Sequence, residues 1–338
     1  MGNFEGFNCH VQGLERFLAE LKEEPGETLF NALLTAWMQI RYVVWWARAY
    51  FSRLDIHRNL PPIHLPRKLE GCFGTTEERR VNVLNVLCES HRLNSKAILK
   101  HWSLDSEIDD EYEITCLKLA GEAKKLDLWL SNIPKTEQPL DSESYSHFPV
   151  GDGLDTPIFF QSHDAALNFA YHVLARIMQC TESLRQLQSG KLHGKLGHSE
   201  EQGWIRLLLQ IANGTSMQTS VSKNSYTIGF SGIFLAALLR CQDLNLSLEI
   251  ERWLDSLHSL QPTEEGAFPI YQTLGVTRMV NQQRMMGREI FGVSQLEDDG
   301  GGFPKFTAYN SQSISSLLLH GVCNITGNLF TECVSIDV

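Results

Sequence analysis

The chain has 338 residues, of which 43% are hydrophobic and 20% are charged, and its formal net charge is −11. This composition is typical of a globular protein with a large core, and it excludes extended disorder over most of the chain. A sequence pI near 5.6 also argues against a nucleic-acid-binding surface, because such a surface concentrates Lys and Arg.

The first long helix is predicted over about Thr28–Arg53 and is rich in aromatic residues. Helical spacing places Trp37, Arg41, Trp45 and Arg48 on one face, where guanidinium groups can lie over indole rings. Polar and basic residues interrupt its apolar run, so we interpret it as a buried helix and not as a membrane span. The N-terminus has no basic region followed by an apolar stretch, and we expect an intracellular protein without a secretory signal.

Helical periodicity continues after a proline-rich segment. Thr75 and Glu78 have the spacing of a capping box, so a helix is expected to begin there, and another is expected over about Glu107–Leu130. Residues 132–160 are rich in Pro, Ser, Asp and Gly and predict a linker. We therefore expect an N-terminal helical subdomain over residues 1–131 and a C-terminal helical subdomain over residues 161–338 that packs on the first.

The second half of the chain has the same helical character. Helices are expected at about Ser162–Leu187, Glu201–Thr219, Asn224–Arg240, Ser247–Leu260 and Pro269–Arg288, with a shorter one near Ser311–His320. Convincing alternating strand patterns are missing, so the predicted fold class is all-α, a bundle of many helices.

The cysteines do not predict a metal site. All eight are scattered singly, without the paired short spacing that clamps zinc, and we interpret them as free thiols in a reducing compartment. No metal and no cofactor is expected.

One predicted helix has a polar stripe. Asn168, His172, Arg176 and Gln179 share a face of the helix that begins near Ser162. Such a stripe can orient a ligand or form a general acid–base centre around His172. The alternative is a partly exposed helix face.

The stretch EDDGGGFPKF, residues 297–306, combines carboxylates, three glycines and a proline between phenylalanines. A phosphate cradle is excluded because no Lys-Ser/Thr pair follows the glycines. Two adjacent carboxylates supply too few ligands for a metal unless others arrive from elsewhere. We interpret the stretch as a sharp turn, with Asp299 as a candidate catalytic carboxylate.

Six segments, taken in order, resemble parts of a known family and span nearly the whole chain. They are Ala36–Arg58, Val86–Trp102, Ala166–Cys180, Asn224–Arg240, Pro262–Phe291 and Asp298–Gly321. Together they resemble the C-terminal regulatory region of fungal-specific binuclear zinc-cluster (Zn2Cys6) transcription factors. In that family each segment is part of a helical domain.

The resemblance implies a multi-helix regulatory domain that controls transcription of metabolic or secondary-metabolite genes and can sense a small apolar ligand. The closely spaced cysteines and the basic recognition segment of the family are absent from this sequence. We therefore expect no direct contact with nucleic acid and no membrane association, and action through protein partners in the nucleus. The alternative is a cytoplasmic enzyme on the same scaffold, a cofactor-independent cyclase or isomerase that acts on a small apolar intermediate.

Both functions predict a pocket for a small molecule, with His172 and Asp299 as candidate catalytic residues in the enzyme. The residues expected to contact the ligand are aromatic or basic and come from both halves of the chain: Trp37, Arg41, Trp45, Tyr171, His172, Arg176 and Tyr309.

Overall fold

The computed structural model describes residues 13, 16, 27–50, 52–102, 111–140, 156–189, 200–224, 227–266, 268–296 and 316–336. These residues are mostly helical, and two small antiparallel sheets lie toward the C-terminal end. The predicted all-α class is therefore confirmed only as a predominance of helix, and it was wrong in excluding strands.

The first half of the described chain contains six helices. They are α1 (Glu27–Tyr50), α2 (Leu54–Arg58), α3 (Thr76–Leu99), α4 (Glu111–Asn132), α5 (His163–Gln179) and α6 (Glu182–Ser189), with single 3-10 turns at Lys100–Trp102 and Lys135–Glu137. The helix expected over Ser162–Leu187 is thus two helices with a break at Cys180-Thr181.

Five further helices and five strands complete the described chain. They are α7 (Glu200–Asn213), α8 (Met217–Lys223), α9 (Phe230–Leu238), α10 (Leu244–His258), β1 (Glu264–Glu265), β2 (Phe268–Pro269), α11 (Ile270–Met285), β3 (Arg288–Ser294), β4 (Ser316–Cys323) and β5 (Leu329–Ser335).

Helix α3 is the central element, and its predicted capping box is confirmed. The Thr75 hydroxyl accepts from the Glu78 amide at 3.1 Å, and the Glu78 carboxylate accepts from the Thr75 amide at 3.0 Å. These two bonds satisfy donors that the first helical turn leaves without partners. Beyond this start, α3 packs against α1, α4 and α5, and one hydrophobic cluster continues from these helices to the sheet.

The start of the predicted linker is held against α3 by a buried ion pair. The Glu137 carboxylate accepts from Arg79 Nε at 2.8 Å and Nη2 at 2.6 Å, and from the Thr76 hydroxyl at 2.5 Å. Farther along, the Ile158 amide donates to the Gln210 carbonyl of α7 at 3.0 Å. Both described ends of this region are therefore attached to the helical body.

The C-terminal sheet has the strand order β3-β4-β5, with antiparallel pairing throughout. The prediction of a helix near Ser311–His320 was wrong for the residues from Ser316 onward, because these residues form the middle strand, β4. Gly292 in β3 lets the sheet approach α3 closely, because a Cβ at that position would lie 2.6 Å from Leu99 Cδ2. Residues 297–315, including the EDDGGGFPKF stretch, lie outside the described part of the chain.

A buried carboxylate closes the N-terminus of α9. Glu265, in the short β1–β2 hairpin, is fully buried and accepts from the backbone amides of Phe230 at 3.0 Å and Ser231 at 2.8 Å. The Ser231 and Ser220 hydroxyls and the Asn224 amide donate to the same carboxylate. A carboxylate at a helix N-terminus is favoured by both the free amides and the helix dipole, so Glu265 replaces a local cap.

Candidate functional site

A phenol and an imidazole meet in the interior between α1 and α3. Tyr50 Oη lies 2.6 Å from His91 Nε2, and Ser95 Oγ lies 3.4 Å from His91 Nδ1. The rings of Trp45 and Trp46 pack on the imidazole, with centroids 5.7 Å and 4.9 Å away. All of these side chains are buried, so the imidazole is fixed in position and shielded from water.

A buried guanidinium extends this arrangement toward the sheet. Arg240 Nε donates to Asn94 Oδ1 at 2.7 Å, and its Nη1 donates to the carbonyls of Leu239 at 3.0 Å and Phe291 at 2.9 Å. The Asn94 amide in turn donates to the Met178 carbonyl at 3.0 Å. We call Tyr50, His91, Asn94, Ser95 and Arg240 the polar centre.

The electrostatics of the polar centre keep its phenol protonated and its imidazole neutral. Burial lowers the pKa of His91 well below its usual value, and the charge of Arg240 adds to this shift. Burial raises the pKa of Tyr50 despite the opposing effect of Arg240. A neutral imidazole can accept or donate a hydrogen bond, so the pair can recognise a polar group or relay a proton.

A carboxyl that titrates near neutral pH lies beside the polar centre. Burial raises the pKa of Glu201 to about 7, while a hydrogen bond from Ser183 and the charge of Arg240 oppose the shift. The Ser183 hydroxyl donates to Glu201 Oε2 at 2.9 Å. Within the described residues Arg240 has no ion-pair partner, so Glu201 acts on it over a longer distance.

The predicted ligand-binding residues of α1 contact different neighbours and do not line one site. Trp37 lies under the Arg41 guanidinium, 5.8 Å from its carbon to the ring centroid, as the helical spacing predicted. Trp45 instead packs on the polar centre through its contact with His91, and its indole N–H donates to the Pro61 carbonyl at 2.8 Å.

The predicted residues of α5 lie in other surroundings. The Tyr171 hydroxyl donates to the Ile228 carbonyl at 2.6 Å, at the approach to α9. His172 stacks on Trp129 with centroids 5.5 Å apart and also contacts the rings of Phe169 and Trp204. Arg176 forms an ion pair with Asp127. Asp299 and Tyr309 lie outside the described residues.

His172 is held neutral by its aromatic surroundings. Burial lowers its pKa to about 3, with a further contribution from the charge of Arg176. Its Nδ1 is buried and has no hydrogen-bond partner among the described residues. The candidate catalytic imidazole is therefore a weak base inside a ring cluster formed by α4, α5 and α7.

Sequence reasoning predicted none of the five residues of the polar centre as site residues. The segment that contains His91 has the residue types of a catalytic group, but neighbours in a helix point in different directions, so the pattern alone indicated a structural role. Tyr50 follows Trp46 by one helical turn, and this spacing could have placed Tyr50 on the same face of α1 as Trp46. Arg240 and Asn94 gave no local signal, because their partners are distant in the sequence.

The polar centre joins five of the six segments on which the family resemblance rests. The contributing groups are the Tyr50 phenol, the His91 ring and Asn94 amide, the Met178 carbonyl, the Arg240 guanidinium and the Phe291 carbonyl. The segments are thus joined through two hydrogen-bonded groups that share α3, Tyr50–His91–Ser95 and Asn94–Arg240, and the charge of Arg240 acts on His91.

In comparisons with known proteins, no family model, no curated protein and no solved structure matches the chain. Among the described helices, none combines the length and apolarity needed to cross a bilayer. The described residues also contain no group of three or more His, Cys, Asp or Glu side chains that could hold a metal ion, and the described cysteines are free.

Proposed function

We propose that the chain is a ligand-sensing regulatory domain of the kind found in fungal zinc-cluster transcription factors, and that it acts in the nucleus through partner proteins. The observation that carries this proposal is the polar centre, which ties together five of the six segments that resemble the family. The proposed ligand is a small, largely apolar molecule with at least one hydrogen-bonding group.

The buried hydrogen bonds of the polar centre supply a physical basis for sensing. Buried hydrogen bonds are costly to leave unmade, so a ligand that competes for His91 or Arg240 must shift the segments that share them. A ligand that binds one packing arrangement better than another changes their populations by its difference in affinity. The proposed output is a changed surface for a protein partner.

A second candidate function is catalysis by a cofactor-independent cyclase or isomerase. The observation that favours it is the neutral imidazole of His91, hydrogen-bonded to a phenol at 2.6 Å among the indoles of Trp45 and Trp46. Aromatic walls suit an apolar substrate, and an imidazole–phenol pair can move a proton at a carbon next to a carbonyl group.

One experiment separates the two functions. The gene is deleted, or replaced by a Tyr50→Phe allele, in the organism that encodes it, and transcripts and metabolites are measured together. For a regulator we expect altered transcripts of a set of metabolic genes in both strains. Unchanged transcripts with an accumulated precursor would contradict regulation, and conversion of that precursor by the purified protein would then support catalysis.

A further inference from the structure

Helix α4 presents apolar side chains to solvent. The helix packs against α3 and α5, and its buried residues follow the spacing of one helix face: Thr115, Leu119, Glu122, Leu126 and Trp129. On the outer face, Ile114, Leu117 and Leu128 are 48%, 73% and 56% exposed. Leu117 follows Ile114 by about one helical turn, and Leu128 follows Leu117 by about three turns, so the three side chains lie along one line.

A glycine lies within this line. Gly121 follows Leu117 by about one turn, and a Cβ built at Gly121 would meet nothing within 4 Å. Glycine weakens a helix relative to alanine, and no close contact within the described chain requires glycine here. The surface therefore has a low point between Leu117 and Leu128, into which a side chain of another helix can pack. We call Ile114, Leu117, Gly121 and Leu128 the α4 stripe, which extends about 21 Å along the helix.

Lysines border the α4 stripe on both sides. Helical spacing places Lys124 along one side, and Lys118 and Lys125 along the other, and all three are exposed. Lys125 pairs with Glu122 at 2.6 Å. Lys118 and Lys124 have no ion-pair partner within the described part of the chain, so their charges are available to a binding partner.

The acidic side chains of α4 do not cancel this charge. Asp127 lies on the side toward α5 and forms an ion pair with Arg176. Glu113 is exposed, and it lies at the N-terminal end of the α4 stripe. The border of the stripe is thus positive, although the formal net charge of the chain is −11. A positive border around an apolar strip is complementary to a partner that combines apolar residues with Asp and Glu.

A second copy of the chain is a poor match for this surface. In an antiparallel pairing of two α4 helices about Gly121, Lys118 of one copy would face Lys124 of the other, because the two positions are equally far from Gly121. A parallel pairing would bring the two copies of Lys124 together. Like charges face each other in both arrangements, which is unfavourable. The charge pattern therefore favours an acidic partner over self-association.

We propose that the α4 stripe binds an acidic amphipathic helix of a partner protein. Large apolar residues of that helix pack on the stripe, one of them at the low point of Gly121, and its Asp and Glu residues pair with Lys118 and Lys124. An amphipathic helix laid on an apolar surface is a recurrent mode of recognition, with anchors at i, i+3, i+4 and i+7. The proposal concerns binding alone and does not depend on the proposed role in transcription.

The test measures binding of synthetic peptides of about 16 residues to the full chain by fluorescence anisotropy. The acidic peptide has leucines at helical spacing flanked by Glu, a basic peptide has Lys in place of every Glu, and a third peptide has the acidic composition in scrambled order. We expect saturable binding of the acidic peptide that weakens with added salt, and about tenfold weaker binding of the other two. No saturable binding of the acidic peptide, or equal binding of all three, overturns the proposal.

Variants of exposed residues locate the site. Leu117→Gln and the double variant Lys118→Glu/Lys124→Glu are each expected to weaken binding of the acidic peptide about tenfold, and the double variant is expected to bind the basic peptide more tightly than the wild type does. Leu29→Gln, at a leucine that is 67% exposed on α1, is the control and keeps wild-type affinity. Urea unfolding checks that each variant remains folded. Wild-type affinity in both stripe variants overturns the assignment.

Two measurements address other occupants of the α4 stripe. Light scattering over a range of concentrations is expected to give the same oligomeric state for the wild type and Leu117→Gln. A dimer that Leu117→Gln dissociates would assign the stripe to a second copy and overturn the proposal. Sedimentation with phosphatidylserine vesicles is expected to show no binding, whereas vesicle binding that Leu117→Gln abolishes would assign the stripe to a lipid surface and also overturn it.

Discussion

Tyr50 and His91, which are 41 residues apart in sequence, share a 2.6 Å hydrogen bond in the interior where α1 packs on α3. The bond gives the imidazole a partner that the apolar surroundings cannot supply. It also joins the aromatic face of α1 to the helix at the centre of the fold, so its removal is expected to affect stability and function together.

Tyr50→Phe is expected to destabilise the protein by about 1–3 kcal/mol, because it leaves a buried nitrogen of His91 without a partner. Urea unfolding measures the change. The matched control is Tyr42→Phe on the same helix. The Tyr42 hydroxyl donates to Asn85, which is only half-buried and can turn to water instead. Equal losses in the two variants would contradict the special status of the Tyr50 bond.

Glu265→Gln is expected to destabilise the protein by roughly 2–4 kcal/mol. The carboxylate accepts from two backbone amides at the start of α9 and from three side-chain donors, and an amide replaces one acceptor oxygen with a donor group. Glu264→Gln, at the exposed neighbouring position, is the control and is expected to change stability by less than about 0.5 kcal/mol. A similarly small effect at both positions would show that the helix start does not need the carboxylate.

Glu201→Gln is expected to make the protein more stable at alkaline pH. Because the folded-state pKa of Glu201 is about 7 and its ordinary value is 4.5, the folded protein binds the proton more tightly than the unfolded chain. Wild-type stability therefore falls as pH rises from 4.5 through 7, by roughly 3 kcal/mol from this group. The Glu201→Gln variant has no carboxyl group at this position to ionise, so its stability does not fall for this reason. Unfolding free energies at pH 5 and pH 8 test it, with exposed Glu200→Gln as the control.

His172→Phe is expected to reduce sensitivity to acid. The folded-state pKa of His172 is about 3, below its ordinary value of 6.5, so the unfolded chain binds the extra proton and stability falls as pH drops from 6.5 toward 3. Removing the imidazole should reduce the slope of the unfolding free energy against pH by up to about 1.4 kcal/mol per pH unit. His258→Gln, on the exposed side of α10, is the control, and an unchanged slope in His172→Phe would contradict the burial of a neutral ring.

The fold could be predicted where the signal was local. The capping box at Thr75 and Glu78 placed the start of α3 correctly, because both partners lie within one turn. The sheet could not be predicted in this way. β3 has six buried residues in succession and β4 is an apolar run, and such runs lack the alternation that separates a strand from a buried helix. Pairing with distant residues decided their conformation.

The polar centre was hidden for a related reason. Trp45 was identified because its spacing on α1 is visible in the sequence, but its partner His91 lies on another helix. Arg240 lies 146 residues from Asn94, and no local pattern indicates a bond over that distance. The backbone of Ser52 is likewise held by a partner that is distant in sequence, because its carbonyl accepts from the Gln295 amide just after β3.

The position of Glu265 has a consequence for synthesis of the chain on the ribosome. Helix α9 is buried along its whole length and is mostly apolar, and the carboxylate that completes its first turn is encoded 35 residues after Phe230. The residues of α9 therefore leave the ribosome first, and the cap of the first turn cannot form until the β1–β2 hairpin has also emerged. During that interval the segment is a candidate for chaperone binding, and a pause in translation just after α9 is expected to lower the yield of native protein.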